Sequence, residues 1–110
     1  CVFCMIAKGE IESKKILEDE EIVAFHDLNP QAPFHILIVP RKHIPSLDEA
    51  KEEDINLLGK LLFTAMQISK RYHLDEGYRV VINTGSDGGQ DIAHLHLHLL
   101  AGRHMSWPPG

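Results

Sequence analysis

His94-Leu95-His96-Leu97-His98-Leu99 alternates imidazole and leucine without a break. In a β-strand, side chains two apart share a face. The run therefore predicts a final strand over His94 to Ala101. Three imidazoles would line one surface about 7 Å apart, and the leucines would bury themselves on the other. Such a row can hold a metal, or it can grip a phosphate and attack it. A lone histidine on a strand is ordinarily a half-buried polar residue, and His26, His73 and His104 read that way. Strict alternation against a leucine face is another matter, because period and chemistry agree.

Outward from this run, Thr84 to Gly89 is a turn-rich loop with three glycines, and Tyr78 to Asn83 alternates as a strand through Val80 and Ile82. His35 to Val39 is a continuous apolar strand that ends at Pro40. Asn29-Pro30-Gln31-Ala32-Pro33 before it is a rigid loop, since each proline fixes its own φ and restricts its predecessor. Lys15 to Glu18 and Glu21 to Asp27 read as two strands around Asp19-Glu20, and Cys4 to Lys8 as a short helix or turn ending near Gly9. Ser46, three residues before Glu49, resembles a capping box, and Glu52, Glu53 and Asp54 suit the positive end of a helix dipole. The long helix that follows, to about His73, carries one stripe of Ile55, Leu58, Leu62 and Ala65, and an adjoining one of Leu57, Leu61 and Ile68. That breadth exceeds what one sheet face needs and suggests burial against a second subunit. Four or five strands with short antiparallel links and one or two helices describe an α+β fold. Trp107-Pro108-Pro109-Gly110 is not regular structure, and an indole on such a tail ordinarily packs within the subunit or on a partner.

A chain of 110 residues is expected to form a single domain over 1–110. Its 44% hydrophobic and 25% charged residues are ordinary globular values. A net charge of −5 argues against nucleic-acid binding, which needs a basic field. It leaves room for a small anionic ligand, because a local site can oppose the global charge. No apolar run approaches the roughly 18 to 20 residues of a membrane span, and no signal-peptide pattern opens the chain, with a short leader before Cys1 left open. Cys1 and Cys4 are the only cysteines. Two residues apart, they cannot staple distant parts of a fold, and a cytoplasmic setting fits best.

Two constellations share the final strand. Cys1-x-x-Cys4 is half of a four-ligand zinc site, although two free thiols would show the same spacing. His43, just past a strand end, and His94, at the start of the triplet, can complete a Cys₂His₂ set, which would be coordinatively closed and structural. The second constellation is His96 and His98 with the loop before them. Gly88 and Gly89 let backbone N–H groups approach an anion, and Gln90 can add its side-chain amide. A neutral imidazole is a competent nucleophile at phosphorus and a good leaving group from it. A protonated His98 could hold the phosphate and stabilise developing charge.

The His94-to-Leu100 run resembles the motif of the histidine triad superfamily. Ala24-Phe25-His26-Asp27, Asn29 to Pro33 with His35, Gly85 to Gln90, and Trp107 to Gly110 all look like its HINT branch. The resemblance implies a HIT-like fold: an antiparallel five-stranded sheet with one long and one short helix, continued across a homodimer. It implies a purine-nucleotide-binding hydrolase that cleaves adenosine 5′-phosphoramidates through a nucleotidyl-histidine intermediate. Carried over position by position, His96 is the nucleophile, His98 and Gln90 contact the α-phosphate, and His35 supports the histidine network. Asp27 binds the ribose hydroxyls, Ile6, Phe25 and Leu28 form the base slot, and Asn83 and Gly89 lie along the phosphate. Trp107 would reach toward the partner's site, and Cys1, Cys4, His43 and His94 would bind structural zinc.

One position departs from the pattern. Asp91 stands where the eukaryotic members carry a serine beside the leaving group. A carboxylate there would repel the phosphate unless it is protonated or turned away, yet it could also serve as general acid for the departing amine. Two other functions compete with the leading one: a non-catalytic nucleotide-binding or scaffold protein, and a zinc hydrolase whose triplet holds an open catalytic metal.

Overall fold

The computed structural model describes residues 1–110. Its centre is one antiparallel sheet in the order β1-β2-β3-β5-β4, built from β1 (Lys15–Glu18), β2 (Ile22–His26), β3 (Phe34–Pro40), β4 (Arg79–Val81) and β5 (Leu97–Ala101). Helix α1 (Val2–Ala7) and helix α2 (Ile55–Arg71) pack against it. No helix is long and apolar enough to cross a membrane. The expected five-stranded sheet with one long and one short helix is what forms.

β2 and β3 are apolar at almost every position because both faces of the sheet are covered there. Ile22, Ala24, Ile36 and Ile38 join Leu95, Leu97 and Leu99 under Leu61, Ala65 and Ile68 of α2. The intervening Val23, Phe25, Leu37 and Val39 pack with Phe3, Ile6 and Ala7 of α1. β5 is covered by α2 on its leucine face only. Its other face carries His98, opposite Leu37 of β3 and Val81 of β4. This row is where the sheet changes from core to site.

The final strand is shorter than the alternation predicts. It starts at Leu97, not His94, and the reason lies in its neighbour. β3 and β5 pair Ile38 with Leu97, so continuing the register by two would set Leu95 opposite Pro40, which has no N–H to donate. Leu95 instead donates its N–H to Ile44 O at 2.7 Å, and His94 donates to Ile92 O at 2.9 Å. The leucines are still fully buried, but His94 leaves the row.

The long helix also starts later than the capping pattern suggests. Ser46 makes no side-chain cap and opens a 3₁₀ turn, Leu47–Glu49. A second turn, Glu52–Asp54, leads into α2. There the Asp54 carboxylate accepts from Lys51 N at 2.9 Å and from Lys42 Nζ at 2.6 Å. The expected apolar stripe divides: Leu61, Ala65 and Ile68 are buried, whereas Ile55, Leu62 and Phe63 are more than half exposed.

Leu99 is fully buried between β3, β4 and α2. Leu99→Ala should cost about 2–5 kcal/mol in urea unfolding, the range for a leucine removed from a packed core. A loss below about 1 kcal/mol would contradict this placement of the core.

Candidate functional site

A cleft of about 250 Å³ opens between α1 and the histidine face of the sheet. Ile6, Phe25 and Leu28 line it, with Asp27, His96, His98 and Asp91. Leu28 is almost wholly exposed at the rim, while Phe25 is buried at the floor. The structure thus brings together seven of the residues that sequence reasoning singled out.

The hydrogen-bond partners assign a proton to each ring. Gln31 donates its backbone N–H to His35 Nδ1 at 3.0 Å, so neutral His35 carries its proton on Nε2. That N–H meets His98 Nδ1 at 2.8 Å, with Asp27 Oδ2 also 3.3 Å away. His98 Nδ1 is then an acceptor, and its own proton sits on Nε2, free for the cleft. His96 Nδ1 donates to His94 O at 2.6 Å, which leaves a lone pair on His96 Nε2. The site therefore offers a nucleophilic nitrogen and an N–H donor on adjacent rings, with centroids 5.0 Å apart.

Burial pushes the pKa of His98 down, and the neighbouring His96 and His35 add to the effect. Burial lowers that of His35 as well, against the opposing pull of Asp27. A protonated His98 was one expectation. The neutral tautomer is favoured instead, and it acts through Nε2–H. Asp27 is held in place because Oδ1 accepts from Asn29 N at 2.8 Å. Asp91 Oδ1 lies 3.9 Å from His96 Nε2, but its side chain is 79% exposed, so solvent screens the carboxylate.

Two N–H groups of the glycine loop are spent within the loop itself. Gly89 N–H donates to Ser86 O and Gln90 N–H to Gly85 O, both at 3.0 Å. The Gln90 amide gives its two hydrogens to Pro45 O and Ile92 O and accepts from Gly85 N. In this arrangement Gln90 braces the loop ahead of the histidines and has no amide hydrogen left for a phosphate. Gly88 is obligatory, since a Cβ there would fall 2.3 Å from Thr84 O. Asn83 and Gly89 do not line the cleft; Asn83 faces a separate hollow beside Arg79 and Arg103.

His94 turns away from the other two. Its Nε2 donates to Pro40 O at 2.8 Å, which frees Nδ1. That nitrogen lies 3.3 Å from Cys1 Sγ, 3.5 Å from Cys4 Sγ and 3.1 Å from His43 Nδ1, and Cys4 Sγ is 3.2 Å from His43 Nδ1. Tetrahedral zinc with ordinary bond lengths sets such donors roughly 3.3 to 3.6 Å apart. Two soft thiols and two imidazoles at these separations fit a Zn²⁺-type ion. Asp27, His35 and His98 also cluster within 4.8 Å, but His35 Nε2 already carries the proton and offers no lone pair. The triplet does not converge on one metal, so the open-zinc hydrolase loses its geometric basis.

Several lining residues escaped the sequence reading, among them Val2, Phe3, Ser13 and Leu37. The i, i+1, i+4 apolar spacing of Val2, Phe3 and Ile6 was the available signal for the helical wall. Ser13 carried none; its buried Oγ has no hydrogen-bond partner.

Residues 8–105 match the HIT domain, and the chain belongs to the HIT family. It is 50% identical to a "14 kDa zinc-binding protein" of Zea mays, over 99% of this chain and 87% of that one. It is 45% identical to "Adenylylsulfatase HINT1" of Arabidopsis thaliana, over 99% of this chain and 76% of the relative. Among solved structures, a HIT family hydrolase of Legionella pneumophila Philadelphia 1 superposes with a TM-score of 0.98 at 48% identity, covering 100% of this chain and 99% of that one. The histidine triad nucleotide-binding protein of Candida albicans does so with a TM-score of 0.83 at 33% identity, over 98% and 82%.

The lowered pKa values of His35 and His98 link stability to pH. Between those values and the ordinary 6.5, the unfolded chain binds more protons than the folded one. Stability is therefore complete above 6.5 and declines as pH falls through the lowered values. The thermal midpoint should drop between pH 7.5 and pH 5, and His98→Gln should make that drop shallower. An unchanged slope in the variant would contradict the assignment.

Proposed function

We propose that the chain is a nucleotide hydrolase that cleaves nucleoside 5′-phosphoramidates through a nucleotidyl-histidine. The observation that carries this reading is His96: its Nδ1 proton is fixed on His94 O, and its Nε2 lone pair faces the cleft beside the His98 N–H. The apolar wall of Ile6, Phe25 and Leu28 suits a purine, and the Asp27 carboxylate suits the two ribose hydroxyls. His96 Nε2 attacks the α-phosphorus, and the bond from phosphorus to the leaving amine breaks with its electron pair. The amine takes its proton from solvent water, and Asp91, whose exposed carboxylate lies 3.9 Å from His96 Nε2, is placed to relay it. His98 Nε2–H donates to a phosphoryl oxygen as charge develops. Water then attacks phosphorus and gives its proton to solvent, and the P–Nε2 bond breaks with its electron pair returning to Nε2. The names of the Arabidopsis and Legionella relatives support hydrolase chemistry, and that of the Candida neighbour supports a nucleotide ligand.

The Cys1–Cys4–His43–His94 set would hold structural zinc, a reading supported by the zinc-binding name of the maize relative. Four protein donors fill a tetrahedral shell, so the ion supplies cross-linking and not chemistry at phosphorus. Homodimer formation is part of the same reading. Ile55, Leu62 and Phe63 present an uncovered apolar face of α2, and β4 is an edge strand of the sheet. Beside that edge lies the tail, whose Met105 and Ser106 carbonyls accept from Arg79 Nη2 and whose Trp107 is 81% exposed. A second copy would cover all three surfaces in one two-fold contact.

His96→Gly should abolish phosphoramidate turnover while leaving AMP affinity within roughly tenfold, because binding is spread over Asp27, the base slot and His98. Residual turnover above a few per cent would overturn the role of His96. Elemental analysis should find one zinc per chain, and none in chelator-free preparations would contradict the metal reading. Sedimentation at micromolar concentration should give about twice 12.4 kDa, and Leu62→Glu should shift it to one chain mass.

A further inference from the structure

Helix α1 belongs to two sites at once. Cys1 caps it and Cys4 lies in its first turn, so its N-terminal end carries both thiols of the metal-ligand set. Between them in sequence stands Phe3, which is buried and lines the cleft. Its ring meets His96 edge-on with centroids 5.0 Å apart, His94 at 6.0 Å and Phe25 at 5.6 Å. One aromatic side chain thus touches the nucleophile, a metal ligand and the floor of the base slot.

A second line runs through His94. Its ring presents Nδ1 to the thiols, while its backbone oxygen accepts the nucleophile's Nδ1–H at 2.6 Å. Any displacement of this residue moves the group that fixes the tautomer of His96. The helix itself has six residues, too few to persist without tertiary anchors. Its anchors are the packing of Phe3, Ile6 and Ala7, the Arg41 guanidinium on Ala7 O, and the thiol–imidazole cluster.

We propose that the cysteine–histidine set and the nucleotide site are energetically coupled, with Phe3 and His94 as the positioning residues. An ion held by Cys1, Cys4, His43 and His94 pins α1, and thereby the base-slot wall and the His96 tautomer. A purine nucleoside monophosphate in the cleft presses on the same wall and holds the ion more tightly. Linkage requires both effects to be the same factor. The coupling rests on the nucleotide-binding reading above, and the test separates the two.

Zinc release from the loaded protein would be followed with an excess of a chromophoric chelator, with and without saturating AMP. This needs no folded metal-free state. AMP affinity would be measured by calorimetry on loaded and stripped protein wherever the stripped form keeps its far-UV spectrum. AMP should strengthen zinc retention by at least about fivefold, the lower end of typical site-to-site coupling. Stripping should also weaken AMP, and equilibrium zinc affinities with and without AMP, set by competition with the chelator, should differ by that same factor. In Phe3→Leu the factor by which AMP strengthens zinc retention should fall toward one, whatever either affinity becomes on its own. Zinc release indifferent to bound AMP would overturn the coupling while leaving nucleotide binding intact. No AMP binding to loaded protein would overturn the nucleotide reading and the coupling together.

Discussion

The hydrogen bond from His96 Nδ1 to the carbonyl of His94, 2.6 Å long, is the contact on which the site depends. A histidine can present either nitrogen, and only one tautomer leaves a lone pair on Nε2. Here a backbone carbonyl makes that choice, so it needs no second ionisable group. The same logic repeats across the site. A backbone N–H from Gln31 sets His35, His35 sets His98, and Pro40 O sets His94. Main-chain groups of the loop before β3, of its last residue and of the segment before β5 thus decide what the side chains of the triplet can do.

Division of the triplet follows from the same strand. Pro40 ends the ladder of β3 and denies Leu95 a partner, and the chain before Leu97 then turns out of the sheet. His94 is carried to the cysteines of α1, and His96 and His98 stay with the cleft. One proline therefore separates the histidine of the cysteine–histidine cluster from the two that face the cleft. Its carbonyl, left free by the turn, receives the His94 proton.

Much of this was legible in the chain. Alternation of leucine and histidine predicted burial on one face, and Leu95, Leu97 and Leu99 are all buried. The Cys1-x-x-Cys4 spacing with His43 and His94 predicted a four-donor set, and the four ligating atoms lie within 4.8 Å of one another. Other features were not legible, because they depend on partners far apart in sequence. The early end of the ladder required knowing that Pro40 faces Leu95. Gln90 reads as a phosphate ligand until Pro45, Ile92 and Gly85 are seen to occupy its amide. Ser46 looks like a helix cap, but Asp54 and Lys42, joined only in three dimensions, set where α2 begins. Phe3 carries only the apolar spacing of a helical wall, and its importance comes from what β2 and the segment before β5 bring to its ring.

The central claim is that His96 Nε2 forms a bond to phosphorus. Mixing the protein with an adenosine 5′-phosphoramidate, quenching at neutral pH within the first turnover and mapping the modified peptide by fragmentation mass spectrometry tests it most directly. The account predicts one adenylyl group per chain, on His96 and absent from His94 and His98. Adenylate on a different residue, or turnover with no covalent species at any quench time, would contradict it.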